Sequence, residues 1–276
     1  MLMDSIRDIA SWAGLEGLTV EEIVGRLSDD QIDWLLEMQE AEAWDERYRK
    51  FDFLFPDETR HVGNATFHAR HFYKKHMEFF RLGAKVRARC FMAANRVGKT
   101  FSAGGYEMSC HLTGRYPHWW EGRRFRHPIR AWACGKTNET TRDIVQTTLL
   151  GDIEYQGNRK MVDGAGVIPR DCIGLHSGSV TWKQGVADLI DTIKIKHISG
   201  GWSKLGLKSY QQGRGAFEGT AQHVIWDDEE PPMDVYNEQV IRTATTKGIM
   251  MLTFTPLEGM SDVVQQFLPD DEEVIG

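Results

Sequence analysis

Apolar residues gather in six short runs in the later part of the chain, at 88–94, 129–135, 190–198, 205–210, 223–226 and 248–255. Most of these runs are continuous in apolar character rather than alternating, which is the pattern of strands buried on both faces. Between them, 99–112, 138–150 and 234–246 have the length and caps of crossover helices. Strands and helices in alternation predict an α/β layer with a mainly parallel central sheet flanked by helices. The first fifty residues read differently. Thr19 precedes Glu22 by three positions and Ser28 precedes Gln31 by three, each a capping-box spacing, so two or three short helices are predicted. Ile32, Leu35 and Leu36 with residues 39–44 give one apolar stripe, expected to pack on the main domain. The glycine-rich stretch 151–166 and the Gly200, Gly201 pair are expected to be surface loops, and no internal repeat or low-complexity segment is visible.

Composition narrows the class. The 276 residues are 41% hydrophobic and 26% charged, as in a soluble globular protein of one large or two small domains, which excludes a disordered or collagen-like chain. No apolar stretch approaches the roughly 20 residues that cross a bilayer. The start, Met1, Leu2 and Met3 followed by Asp4 and Asp8, lacks a secretory pattern, so a cytoplasmic protein is expected. Cys90, Cys110, Cys134 and Cys172 match neither a disulfide framework nor a zinc pattern and read as reduced, buried small hydrophobes. The net charge of −7 is uneven: residues 1–50 hold 13 acidic against 5 basic side chains. From Arg60 to Lys99 there are ten Lys or Arg and one acid, Glu78, interleaved with His61, His68, His71 and His76. Such a stretch suits either a polyanion track or a solvated basic helix face.

Two motifs carry chemistry. A-A-N-R-V-G-K-T, Ala93 to Thr100, follows one apolar run and opens a helical pattern, the setting of a phosphate-binding loop. Ala94, Asn95, Arg96, Val97, Gly98, Lys99, Thr100 and Phe101 would then line the phosphates. Backbone N–H groups at the helix start surround them, Lys99 reaches the β and γ oxygens, and the Thr100 hydroxyl ligates Mg²⁺. The first glycine of the usual pattern is Ala93 here. The second motif is the strand Val224, Ile225, Trp226 running into Asp227, Asp228, Glu229 and Glu230 and stopped by Pro231 and Pro232. Carboxylates at a strand's C-terminal end can hold a metal and take a proton from water. Spacing alone does not divide those roles.

These residues resemble a known family, the large terminase subunits of tailed bacteriophages, ATP-driven motors that package DNA into preformed capsids. The resemblance runs from about Tyr73 and rests on R-C-F-M-A-A-N-R-V-G-K-T at 89–100, H-L-T-G-R-Y-P at 111–117, T-N-E-T at 137–140, S-Y-Q-Q-G-R at 209–214, D-E-E-P-P at 228–232 and L-T-F-T-P-L-E-G-M-S at 252–261. It implies Asp228 as the Mg²⁺-linked carboxylate beside Thr100 and Glu229 as the catalytic one, with Asp227 standing where the family usually has an apolar residue. Thr253 and Thr255 fall in its coupling motif. Arg96 occupies the loop arginine's place, where it would stabilise developing phosphate charge. Tyr73, Lys75 and His76 stand where the family often has an adenine-contacting glutamine, and Arg214 is a candidate for nucleotide or DNA contact. His68, His71 and His76 are spaced for a metal, but the family has none there.

The resemblance further implies an additional-strand P-loop NTPase fold, with a helical arm or lid at 1–58 and the ATPase domain at 59–276. ATP and Mg²⁺ are the implied cofactors. Double-stranded viral DNA, a portal protein and a small terminase subunit are the implied partners, with a ring-forming homo-oligomer on the portal, no membrane, and the host cytoplasm as location. A helicase-like DNA translocase, a small-molecule phosphotransferase and a nucleotide-dependent scaffold are the rival readings. Only Asp270, Asp271, Glu272 and Glu273 offer an acidic cluster after Ser261, with no scaffold to aim them at two metals. The chain, without the family's C-terminal nuclease domain, is therefore expected to hydrolyse ATP without cutting DNA and to bind DNA weakly and salt-sensitively.

Overall fold

The computed structural model describes Thr19 and residues 22–23, 25–94, 97–176, 178–257 and 259–268, and the chain divides into two compact units, Met1–Phe72 and Tyr73–Gly276. In the first, Thr19 and Glu22 make their expected reciprocal pair, with Glu22 accepting from the Thr19 amide at 2.8 Å and Thr19 from the Glu22 amide at 3.3 Å. Ser28 and Gln31 close a second capping box at 3.3 and 2.9 Å. It opens one long helix, α1 (Asp29–Tyr48), of 20 residues, rather than a short one. Only Leu35 of α1 is buried, and Leu36 and Trp44 of the expected apolar stripe are about half exposed. After α2 (Lys50–Phe53), β1 (Arg60–Val62) and β2 (Ala65–Phe67) form an antiparallel hairpin.

This hairpin belongs to the first unit. The Asn64 amide donates to Glu46 of α1 at 2.9 Å, and Arg70 pairs with Asp57. Tertiary hydrogen bonds of that kind leave no mark in local sequence, so the division falls after Phe72, where the sequence pattern places it after residue 58.

The second unit begins with α3 (Lys74–Leu82) and β3 (Ala88–Met92). A π-helical segment, Lys99–Gly105, continues directly into α4 (Tyr106–Thr113), which Gly114 ends in a left-handed conformation, φ +70°. Next come β4 (Arg130–Gly135), then a helix of three stretches, α5 (Asn138–Thr140), a π segment Thr141–Gln146 and α6 (Thr147–Leu150). The stretch expected to be a loop instead carries an antiparallel hairpin, β5 (Ile153–Gln156) and β6 (Arg159–Val162). Gln156 pairs with Arg159 and Gly157 takes φ +62°, so its glycine marks a two-residue turn. The remaining elements are β7 (Val180–Trp182), β8 (Ile190–Lys196), β9 (Trp202–Ser209), β10 (Val224–Asp228), α7 (Met233–Ala244), β11 (Ile249–Phe254) and α8 (Asp262–Gln265).

Seven strands form one sheet in the order β3-β11-β10-β4-β9-β8-β7. The first five are mutually parallel, β8 adds antiparallel to β9, and β7 adds antiparallel to β8. All six apolar runs became strands, and β10 and β11 are buried at every position, as a parallel sheet covered by helices requires. Successive side chains of β10 therefore enter different layers. Ile225 joins Trp132, Phe217, Val235, Met250, Leu252 and Phe254 in one apolar cluster. On the other side Trp226 lies against the helix that starts at Lys99, where a Cβ on Gly104 would come within 2.1 Å of the indole nitrogen. Only glycine permits that approach. A buried ion network ties the same helix to β3: Glu107 pairs with Arg89, and His111 meets Glu107 at 3.0 Å. Of the four cysteines, all free, Cys110, Cys134 and Cys172 are buried and Cys90 is partly so.

Candidate active site

The C-terminal ends of β3, β10 and β11 open on a cleft of about 1090 Å³ lined by Gly98, Lys99, Thr100, Phe101, Asp228, Glu229 and Thr255 among others. Gly98, at φ +81°, turns the chain into the helix, a backbone that a side chain rarely adopts. The first turns are wound wide, with the Gly98 carbonyl accepting from Ser102 at 2.9 Å and from Ala103 at 3.0 Å. The Lys99 ammonium donates to the carbonyls of Ala93 at 2.8 Å and Ala94 at 2.7 Å, and to the Thr255 hydroxyl at 2.7 Å. Thr255 passes its own proton to the Ala93 carbonyl at 2.9 Å. Burial lowers the Lys99 pKa, with Asp228 opposing that shift.

Asp228 ends β10 and accepts from Thr100 at 2.9 and 3.1 Å and from Thr253 at 2.9 Å. Thr253 in turn accepts from the Trp226 indole at 2.8 Å. The relay Trp226–Thr253–Asp228–Thr100 thus crosses from the sheet to the loop. Burial pushes the Asp228 carboxyl up to about 6, against the hydrogen bonds of Thr100 and Thr253. Glu229 follows at φ +94°, strained for a residue with a side chain. Its pKa is raised by burial and lowered in part by Lys136. A hydroxyl and a carboxylate sharing one pocket are hard oxygen donors of the sort Mg²⁺ takes, one or two from the protein and the rest from phosphate and water.

The sequence matches the family described as "Terminase large subunit, T4likevirus-type, N-terminal" over residues 90–275, more than half of the chain. The chain belongs to the large terminase subunits. The large terminase subunit of Salmonella phage P22 is 36% identical over 270 residues, covering 91% of this chain and 49% of that protein. The chain therefore spans about half the length of this relative. Among solved structures, the large terminase of a thermophilic bacteriophage in complex with ADP is similar at 12% identity, with a TM-score of 0.39 over 70% of this chain and 47% of that one.

In this terminase chain, not every sequence-predicted residue reaches the cleft. Asn95 and Arg96 lie outside the described residues, as do residues 270–273. Val97 is exposed beside Gly98 and does not line the cleft. Tyr73 packs edge-on against His76, ring centroids 5.5 Å apart, and His76 in turn packs on Phe91 of β3. Arg214 is drawn away from the cleft by α7: its guanidinium meets buried Glu238 at 3.1 Å, and Glu238 also binds Arg242 at 2.6 Å. Nor does the basic stretch form one track, because Arg89 is buried on Glu107 and Arg87 donates to Thr243 and the Gly248 carbonyl.

Among the lining residues that the sequence reading left out are Lys136, just after β4, Thr140, and Tyr210, just after β9. For Thr140 and Tyr210 the signal was present, since 137–140 and 209–214 both stand out as motifs. Asp227, the departure from the family pattern, points into the apolar layer, where Gln239 donates to it at 2.7 Å and Tyr210 at 3.2 Å. Burial, with the Asp228 charge adding to it, pushes Asp227 up to about 7 against the hydrogen bonds of Gln239, Cys134 and Tyr210. Among the described residues no helix is long and apolar enough to cross a membrane.

Proposed function

We propose that this chain is the ATPase part of a viral DNA-packaging motor, a P-loop NTPase of the additional-strand class. The observation that carries the reading is the convergence of Lys99, Thr100, Asp228 and Glu229 on one cleft at the C-terminal ends of parallel strands. The strand order supports the class, because β11 is inserted between the loop strand β3 and the acidic strand β10.

Lys99 exchanges its contacts with Ala93, Ala94 and Thr255 for the β and γ oxygens of ATP, while the backbone at the helix start surrounds the phosphates. Thr100 and Asp228 would hold Mg²⁺, which when bound would neutralise phosphate charge. Glu229 takes a proton from the attacking water as the water oxygen bonds to the γ-phosphorus. The bond from that phosphorus to the β–γ bridging oxygen breaks, and its electron pair leaves with ADP. Burial raises the basicity of Glu229 toward the working pH, which suits a general base. Arg96, from the same sequence motif, would add positive charge at the phosphates, and Thr255, released by Lys99, would have a hydroxyl free to respond to them. Double-stranded viral DNA is the track, the portal and small terminase subunit are the partners, and a ring of copies on the portal is the working assembly in the host cytoplasm.

The test is phosphate release by the purified chain with and without portal-bearing capsids. Stimulation by the capsids is expected. Lys99→Ala should abolish productive ATP binding or turnover, since removing this ammonium leaves the β and γ oxygens without their point charge. Hydrolysis by Lys99→Ala at the parental rate refutes the phosphate-loop assignment.

A further inference from the structure

Glu229 stands at φ +94°, a conformation that persists only where its surroundings over-determine it. Two groups hold its backbone. Its N–H donates to the Thr253 carbonyl at 3.3 Å, and its carbonyl accepts from the Tyr210 hydroxyl at 3.0 Å. Tyr210 is not on a neighbouring strand: it follows β9, and β4 runs between β9 and β10. Its buried ring reaches beneath the end of β4 to arrive at Glu229.

The turn that carries Tyr210 is itself anchored. Ser209 donates to Asn138 at 2.8 Å, Gln211 accepts from the Asn138 amide at 3.2 Å, and the Gln211 amide donates to the Lys136 carbonyl at 3.1 Å. Behind the sheet, the same Tyr210 hydroxyl lies 3.2 Å from Asp227 Oδ1, the atom that also accepts from Gln239 at 2.7 Å. The hydroxyl has one proton and two acceptors. Gln239 gives Oδ1 a shorter donor of its own, so Asp227 draws less on that shared proton and the nearer acceptor, the Glu229 carbonyl, takes the larger part of it. An aspartate in an otherwise apolar layer is thereby given a task, together with the sequence S-Y-Q-Q at 209–212.

We propose that Tyr210 is a positioning residue for hydrolysis, its hydroxyl fixing the Glu229 carbonyl and through it the aim of the Glu229 carboxylate, with Asp227 and Gln239 holding the hydroxyl from behind. The role rests on the ATPase reading and deepens it. Tyr210 donates to the backbone of the base, so its loss moves the base without removing any phosphate contact.

The experiment compares the full chain, Tyr210→Phe, Gln239→Met and the double variant Tyr210→Phe/Glu229→Gln, by steady-state phosphate release and by binding of AMP-PNP with Mg²⁺. Tyr210→Phe keeps the ring and its packing against Phe217 and loses only the hydroxyl. It is expected to lower kcat about tenfold, leaving KM and AMP-PNP affinity within about twofold. Gln239→Met diverts the Tyr210 proton to Asp227 and is expected to lower kcat several-fold with KM likewise unchanged; it carries the test if Tyr210→Phe does not fold. In the Glu229→Gln background, Tyr210→Phe should cause no further fall, because the group it aims has lost its chemistry. A merely structural tyrosine would lower the melting temperature and AMP-PNP binding alike, and would add its loss to that of Glu229→Gln. A hydrolysing parent with either single variant at the parental kcat overturns the positioning role alone. A parent that binds AMP-PNP but releases no phosphate, even with capsids, overturns the ATPase reading and this role with it.

Discussion

Gly104→Ala asks one methyl group to enter the space of Trp226. Built on the present backbone, the added Cβ lies 2.1 Å from the indole nitrogen, 2.2 Å from Cε2 and 2.6 Å from Cζ2. These are rigid ring atoms of a fully buried side chain, so the indole has to move as a whole. Overpacking of this kind costs about 1–3 kcal/mol. Displacing the indole also breaks its 2.8 Å bond to Thr253, about 1 kcal/mol more. Against this, Ala is the better helix former by roughly 1 kcal/mol. The clash wins, for a net loss of about 1–3 kcal/mol, or a fall in melting temperature of about 3–10 °C for a unit of this size. Thermal unfolding followed by circular dichroism gives the stability, and Mg²⁺ titration of nucleotide binding reports on Asp228, whose partner Thr253 has lost its indole anchor. Trp226→Phe should relieve the clash, so that the double variant is less destabilised than the sum of the singles. An unchanged or raised melting temperature for Gly104→Ala refutes the close packing of helix on β10.

Glu229→Gln should keep Mg·ATP binding and lose about 100-fold or more in turnover, as for loss of a general base, whereas Asp228→Asn should weaken the metal-dependent part of binding; exchanged effects in paired kinetic and binding assays refute the division of roles. Asp227 and Asp228, pushed up to about 7 and about 6 from an ordinary 3.8, are ionised more readily in the unfolded chain. Their contribution to stability is therefore lost as pH rises from about 4 through 7, on the order of 4 kcal/mol from Asp227 alone. Melting temperatures should fall between pH 5 and pH 8 in low-metal buffer, and Asp227→Asn should flatten that slope; an equally steep slope in the variant shows that Asp227 is not its source.

The central sheet was legible because its strands are buried on both faces, and continuous apolar runs such as 249–254 have no other economical reading. The loop–helix junction at Lys99 and the acids after Trp226 were legible for the same reason: chemistry sits where a strand ends. β7 was not, being three residues long, too short for a period to show. Nor was the β5–β6 hairpin, whose strands are four residues each, with β5 mostly exposed and β6 without apolar alternation. Strand geometry alone places Asp227 and Asp228 on opposite faces, but which donors wait behind Asp227 depends on where β9 and α7 come to lie, and no local pattern encodes that. Arg214 shows the converse. Its motif stood out in sequence, yet the buried carboxylate of Glu238, 24 positions away, decides where its guanidinium goes.

The wide winding of Lys99–Gly105 has a consequence for how this helix tolerates change in length. A π turn amounts to one residue more than an α-helix of the same rise needs, so the helix here stores a small surplus of chain beside the site. Deleting one residue from it would let the coil relax to α geometry, and because the surplus absorbs the loss, Glu107 and His111 would stay close to the phase in which they meet Arg89. Deleting a second would find no surplus to draw on, would turn everything downstream by about 100° and would strand that buried charge. Deletions within 99–105 of related chains should therefore stop at one residue.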